Sequence, residues 1–186
     1  EMLTRDWSSD VCSSDLAQLL TDVAKRLEQA GADFIVICTN TMHKVAPQIQ
    51  EHITIPILHI AQATAQALLA DGIQKVGLLG TKYTMTQDFY KEKLIESGLE
   101  VLIPDQAGIT EVNRIIYDEL CLGDIKESSK QTYLAVIDDL KKAGAEAVIL
   151  GCTEIGLLIK QFDTDLPLYD TTVIHAEKAA EWVVNK

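Results

Sequence analysis

Positive charge is scarce in this sequence. Sixteen lysines and arginines stand against 28 aspartates and glutamates in 186 residues, a net charge of −12, and the basic residues are scattered. This excludes nucleic acid and anionic membranes as partners, because a polyanion is held by a clustered basic surface. No apolar run approaches the roughly 20 residues that span a bilayer. The start also lacks a basic region followed by an apolar stretch. The expectation is a soluble cytoplasmic protein with no membrane contact. Cysteine is sparse and unpaired: Cys12, Cys38, Cys121 and Cys152 form no CxxC, which argues for free thiols over a disulfide framework. His43, His52, His59 and His175 form no HExxH, so no metal site is expected. LLGT at 78–81 lacks both GxGxxG and the P-loop pattern, which removes a nucleotide site.

A hydrophobic content of 47% suits one ordinary domain or two small α/β lobes sharing a cleft. Asp6 to Leu16 reads DWSSDVCSSDL, without helical or strand periodicity. It resembles a translated sequencing adaptor, so residues 1–16 are expected to be a non-native segment. From Ala17 the pattern is regular. Leu19, Leu20, Val23, Ala24 and Leu27 keep helical spacing up to Gly31, and Phe34–Ile37 reads as a strand buried on both faces. Further strands are expected at Ile55–Ile60, Lys75–Leu79, Glu100–Ile103, Ala147–Leu150 and Leu166–Tyr169. Helices are expected at Lys44–Glu51, Ala61–Leu69, Thr86–Ser97, Thr110–Leu120, Ser128–Ala143 and Thr172–Val184. Alternating strands and helices imply an α/β fold with parallel sheets and right-handed crossovers.

The chain repeats itself. LEQAGADFIVICTNT, ending at Thr41, aligns without a gap with LKKAGAEAVILGCTE, ending at Glu154, pairing Leu27 with Leu140, Gly31 with Gly144 and Thr39 with Cys152. IPILHIAQAT from Ile55 likewise matches LPLYDTTVIH from Leu166. A unit this long implies duplicated lobes related by a pseudo-twofold axis rather than a solenoid. The expected division is 17–72 with 167–186 as a first lobe and 73–166 as a second. Ligands of open parallel sheets lie beyond the strand C-termini, so Thr39 and Cys152 are expected to face one another across the cleft.

Inverting an α-carbon needs one group to take its proton from one face and another to deliver a proton to the other. Two equivalent strand ends meet that need. Cys152 precedes a helix-like EIGLLIK segment, a setting that lowers a thiol toward thiolate. Thr39 is a weak base that can donate a proton or orient water. Asn40, Thr41 and Thr153 offer donors beside the strand ends, and Thr81 and Thr84 a further hydroxyl shell. The same threonines, Asn40 and Glu154 also suit helix starts. Cys38 and Cys121 read as packing residues.

CTNTMHK at 38–44 and GCTEI at 151–155 resemble the two signature segments of the aspartate/glutamate racemase superfamily. The resemblance covers nearly all of 17–186. It implies a two-lobed, usually homodimeric racemase that uses neither pyridoxal phosphate nor another cofactor and acts on small acidic amino acids. Two-cysteine members carry Cys directly before the Asn-Thr pair, where this chain has Thr39. It is similar to the broad-specificity branch in which Thr faces one catalytic Cys. The resemblance implies that Cys152 takes the proton from the L face of aspartate or glutamate, and that Asn40, Thr41, Thr81, Thr84, Thr153 and Lys126 hold the substrate. Nothing here matches the glycine-rich first strand with which members open. The alternatives left open are an isomerase or decarboxylase of a small dicarboxylate, and an inactive truncated product or binding module.

Overall fold

The computed structural model describes residues 13–185. Helix α1 (Ser13–Gln29) buries Ala17 and Ala24 with Leu16 and Leu20 at its side, against Ile35, Val45 and Ile49. It therefore begins inside the stretch expected to be aperiodic, with Asp15 in its first turn, where an acidic side chain favours a helix start. Strand β1 (Ile35–Val36) leads through a 3-10 turn, Thr41–Val45, into α2 (Ala46–Gln50), and β2 (Ile57–Leu58) leads into α3 (Ile60–Ala70). Strands β1 and β2 form a parallel pair of two residues each. Both are shorter than the expected runs: Thr39 N–H bonds back to Ile37 O, and His59 already caps α3.

A second, four-stranded sheet has the order β4-β3-β5-β6, all parallel. Its strands are β3 (Lys75–Gly80), β4 (Glu100–Leu102), β5 (Ala147–Gly151) and β6 (Leu168–Asp170). Alternation along β3 and β5 sends Val76, Leu78, Ala147 and Ile149 into one core with α3 and α5 (Asp88–Glu96). Leu79, Val148 and Leu150 enter the other, with α6 (Gln106–Asp118), α7 (Glu127–Lys142) and α8 (Ile155–Leu158). This is the continuous apolar reading of a strand covered on both faces. The helix expected at Thr86–Ser97 is α5, and a further short helix that was not expected, α4 (Lys82–Thr86), precedes it; Gln87, extended with ψ 153, separates the two. Helix α9 (Thr171–Val184) packs along α3.

The repeat is written in the hydrogen bonds. Gly31 and Gly144 end α1 and α7 at φ 93 and 96, a left-handed turn that a Cβ disfavours. The same closure follows each, Ala32 N–H to Leu27 O and Ala145 N–H to Leu140 O. Gln50 Nε2 donates to the carbonyls of Ile53 and Ile55 while its Oε1 accepts from Ile57 N–H. Gln161 makes the matching three bonds with Thr164, Leu166 and Leu168. His59 caps α3 through Ala61 N–H, as Asp170 caps α9 through Thr172 N–H. The pair β1–β2 thus corresponds to β5–β6. Strand β6 is hydrogen-bonded to β5 in the larger sheet, while Tyr169 on it and the helix that follows both reach α3.

Gly80 and Gly151 are register partners at the ends of β3 and β5. A Cβ on Gly151 would stand 2.8 Å from Leu79 O and 3.1 Å from Leu78 Cδ1, and sheet backbone cannot yield to it. Glycine here lets the strand before Cys152 close onto β3. Gly151→Ala should cost about 1–3 kcal/mol in urea unfolding; a loss below about 0.5 kcal/mol, the level of an ordinary surface substitution, would contradict this packing.

Candidate functional site

The end of β1 presents Cys38, Thr39 and Asn40. Thr39 is half-buried, and its carbonyl accepts a 2.8 Å bond from His43 Nδ1. The other ring nitrogen of His43 accepts from Ile60 N–H at 3.1 Å, which fixes the proton on Nδ1. His43 thereby fastens the Thr39 turn to the first residue of α3. Cys38 is exposed rather than packed, because the strand has already ended and its side chain points out of the core.

Asn40 is 3% exposed. Its Nδ2 donates to Thr171 Oγ1 at 3.1 Å, and Thr171 Oγ1 donates to Leu150 O at 2.9 Å. One hydroxyl proton committed to Leu150 leaves the Thr171 oxygen only as an acceptor toward Asn40, so the amide orientation follows from chemistry. This bridge runs from the end of β1, through the start of α9, to the residue two before Cys152. Asn40 Oδ1 is buried without a hydrogen-bond partner among the described residues.

Cys152 is half-buried at the end of β5, and its thiol donates to Glu154 Oε2 at 2.9 Å. Burial first, then the hydrogen bond to Glu154 and its charge, hold the thiol far above its ordinary range, since each disfavours a thiolate. The expected lowering toward thiolate is therefore corrected: α8 is only four residues long, and the group bonded to the sulfur is an anion. Glu154 lies below the usual carboxylate value; burial opposes that, but hydrogen bonds from Cys152 and Thr153 outweigh it. Thr153 is exposed, and Thr41 half-buried at the start of its 3-10 turn.

Thr81 caps α4, accepting from Thr84 N–H at 3.4 Å, with the two hydroxyl oxygens 3.2 Å apart. Thr84 is fully buried, with its Cβ and methyl against Gly80 and its methyl against Gly151, so its carbon atoms brace the β3 and β5 ends next to Cys152 while its hydroxyl meets that of Thr81. Lys126 stands apart, exposed at the start of α7 and paired with Asp124 at 2.9 Å and Glu119 at 3.8 Å. Cys121 is exposed on a 3-10 turn, Leu120–Leu122, and not packed in an apolar helix. Two cavities, about 260 and 340 Å³, lie along α7 against Phe162 and Pro104; neither is lined by Thr39 or Cys152. Among the described residues no helix is long and apolar enough to cross a membrane, and no group of three His, Cys, Asp or Glu is placed to hold a metal ion.

The Asp/Glu/hydantoin racemase family profile matches residues 5–179. The chain belongs to this family. It is 24% identical over 172 residues to the broad-specificity amino-acid racemase RacX of Bacillus subtilis, covering 88% of this chain and 70% of that one. To the glutamate racemase of Leptospira borgpetersenii it is 27% identical over 169 residues, 85% of this chain and 60% of that protein. Among solved structures, an Asp/Glu racemase candidate from Yersinia pestis superposes with a TM-score of 0.90 at 50% identity, over 92% of this chain and 75% of that one. An aspartate racemase homologue from Pyrococcus horikoshii OT3 gives 0.83 at 41% identity, over 90% and 74%.

In this racemase-family chain three site features escaped the sequence. Glu154 was read as a helix-start charge, and Thr171 was not singled out. His43, inside the CTNTMHK segment, clusters with His59 and His175 from two other elements, ring centroids 4.5 Å (His43–His59) and 5.8 Å (His43–His175) apart. His175 Nε2 donates to Leu58 O at 2.8 Å. Burial before all else pushes His43 down to about 4 and His59 to about 3, and lowers His175. Above pH 6.5 the folded and unfolded chains both hold these rings neutral. Between 6.5 and about 4 the unfolded chain binds protons that the folded chain refuses, so stability falls as pH falls. Urea unfolding should show a loss of roughly 2 to 4 kcal/mol from pH 7 to 5, removed in large part by His43→Gln with His59→Gln. A flat profile would contradict the neutral cluster.

Proposed function

We propose that this chain racemises acidic amino acids, L-aspartate and L-glutamate, by two-base proton transfer at the α-carbon, without pyridoxal phosphate and as a homodimer. The reading is carried by one observation: Cys152, a hydrogen-bonded thiol at the end of β5, is tied through Leu150, Thr171 and Asn40 to the strand end bearing Thr39. Membership of the racemase family supports the reaction type, and the relatives named for amino-acid and glutamate racemisation support the substrate class.

In this reading Cys152 works on the L face and Thr39, directly or through a water it orients, on the other. Two different groups make the faces chemically unequal, since a thiol is the stronger proton carrier of the two. Asn40 Oδ1, a buried acceptor without a partner among the described residues, suits the substrate ammonium. The hydroxyls of Thr41 and Thr153 and the backbone N–H groups after β5 suit its carboxylates. Thr81 and Thr84 act by bracing the strand ends. Lys126 joins the substrate only by leaving Asp124 and Glu119, a change available to an exposed lysine because surface pairs are weak.

Proton NMR of L-Asp and L-Glu in deuterium oxide tests this directly. The wild-type chain should replace the α-proton by deuterium. Cys152→Ala should slow replacement at least ~100-fold, the usual span for a lost acid–base group, and Thr39→Ala should slow it with a different dependence on pD. Full exchange in Cys152→Ala would overturn the assignment, and carbon dioxide release without exchange would point to decarboxylation.

A further inference from the structure

The two halves hold their reactive strand ends differently. The alignment that pairs Thr39 with Cys152 continues without a gap to pair His43 with Gly156, and Ile60 and Thr171 hold matching places in IPILHIAQAT and LPLYDTTVIH. In the first half the buried His43 ring donates from Nδ1 to Thr39 O at 2.8 Å and accepts from Ile60 N–H at 3.1 Å. In the second half that place is closed: a Cβ at Gly156 would lie 2.6 Å from Asp170 Oδ2. Cys152 O accepts instead from the backbone N–H of Ile155 at 3.2 Å. Asn40 extends the difference, because its Nδ2 reaches Thr171 Oγ1. The turn that carries Thr39 is thus tied to the first residues of both α3 and α9. Resting on the racemase reading above, we propose that His43 is a positioning residue for proton transfer on the Thr39 face, a ring that holds the Thr39 backbone where the Cys152 face has only backbone bonds.

Thr39 depends on placement more than Cys152 does. A threonine hydroxyl is a poor acid and a poor base, so its part in the transfer rests on geometry, and a misplacement of about 1 Å costs on the order of 100-fold. Only a neutral imidazole donates from one nitrogen while accepting at the other, and burial keeps the His43 ring in that form. The rings of His59 and His175 lie against it, with centroids 4.5 and 5.8 Å away. His175 also donates to Leu58 O at 2.8 Å, so the segment leading to Ile60 is fixed from α9. The anchor of the clamp is itself anchored. His43 is 1% exposed, behind the strand end rather than on the rim, and acts on the reaction only through Thr39.

Primary isotope effects read the two faces separately. Interconversion of L- and D-aspartate is followed by chiral chromatography, started from each enantiomer with hydrogen or deuterium at the α-carbon. The chains compared are the wild type, His43→Phe and His43→Asn, with circular dichroism confirming the fold. Phe removes both bonds at similar ring size, and Asn keeps a donor near the place of Nδ1. His43→Phe should lower kcat at least ~10-fold. The isotope effect from D-aspartate, whose α-proton leaves on the Thr39 face, should rise, and that from L-aspartate should fall, because the Thr39 step then limits both directions. His43→Asn should show smaller shifts of the same sign, and its shifts alone decide should His43→Phe not fold. Isotope effects unmoved in a folded variant of slowed turnover would overturn the proposal, since a general loosening slows both faces alike; so would wild-type kcat in His43→Phe. If the wild type interconverts no acidic amino acid, the racemase reading fails and takes this role with it, whereas an active wild type with unmoved variants sinks the role alone.

Discussion

Asn40, Thr171 and Leu150 lie on three separate elements, and one chain of two hydrogen bonds passes through them. Among the described residues the two sheets share no strand pairing, so the relation between the β1 end and the β5 end rests on helix packing, on the bond from His175 to Leu58 O and on this bridge. A buried amide or hydroxyl left unpaired costs roughly 1–3 kcal/mol, which makes the bridged arrangement much better than any in which these groups slide past one another. Packing of α9 on α3 sets the coarse distance, and the bridge fixes the register. Everything proposed for Thr39 and Cys152 depends on that register, because a proton passes only between atoms brought within hydrogen-bond reach.

The polar groups behind the strand ends follow the same logic. His43 is kept neutral by burial, and its two ring nitrogens are spent on Thr39 O and Ile60 N. Thr81 and Thr84 are spent on one another and on the close approach of Gly80 and Gly151. Polar side chains used in this way hold a rigid rim around Cys152, whose thiol bonds Glu154, and around Asn40 Oδ1, which has no partner among the described residues. Preorganisation of this kind is what lets weak acids and bases of side chains act on a carbon acid.

Much of this was legible in the sequence. Continuous apolar runs ending in small polar residues marked the parallel strands, and the gapless match of LEQAGADFIVICTNT with LKKAGAEAVILGCTE foretold that the turns at Gly31 and Gly144 would close alike. What escaped has physical causes. The break at Gln87 carries no Gly or Pro; Met85 before it packs into one core and Tyr90 after it into the other. Cys152 and Glu154 are two residues apart in a turn, where no helical or strand period says whether side chains meet. Asn40 and Thr171 are 131 positions apart, and a hydrogen bond at that separation leaves no local pattern. The thiol was expected to be lowered by a helix N-terminus; the burial that chiefly raises it, and the Glu154 acceptor that adds to this, are visible only once the turn is folded.

The most direct measurement of the central claim is a double-mutant cycle in urea unfolding with Asn40→Ala, Thr171→Val and the pair together. If the bridge sets the register of the two strand ends, the single changes should not add, and the coupling should reach about 1 kcal/mol or more, as for residues sharing one buried network. Additive losses, with coupling below about 0.3 kcal/mol, would mean that the two sheets are held by packing alone and that the bridge does not govern the site.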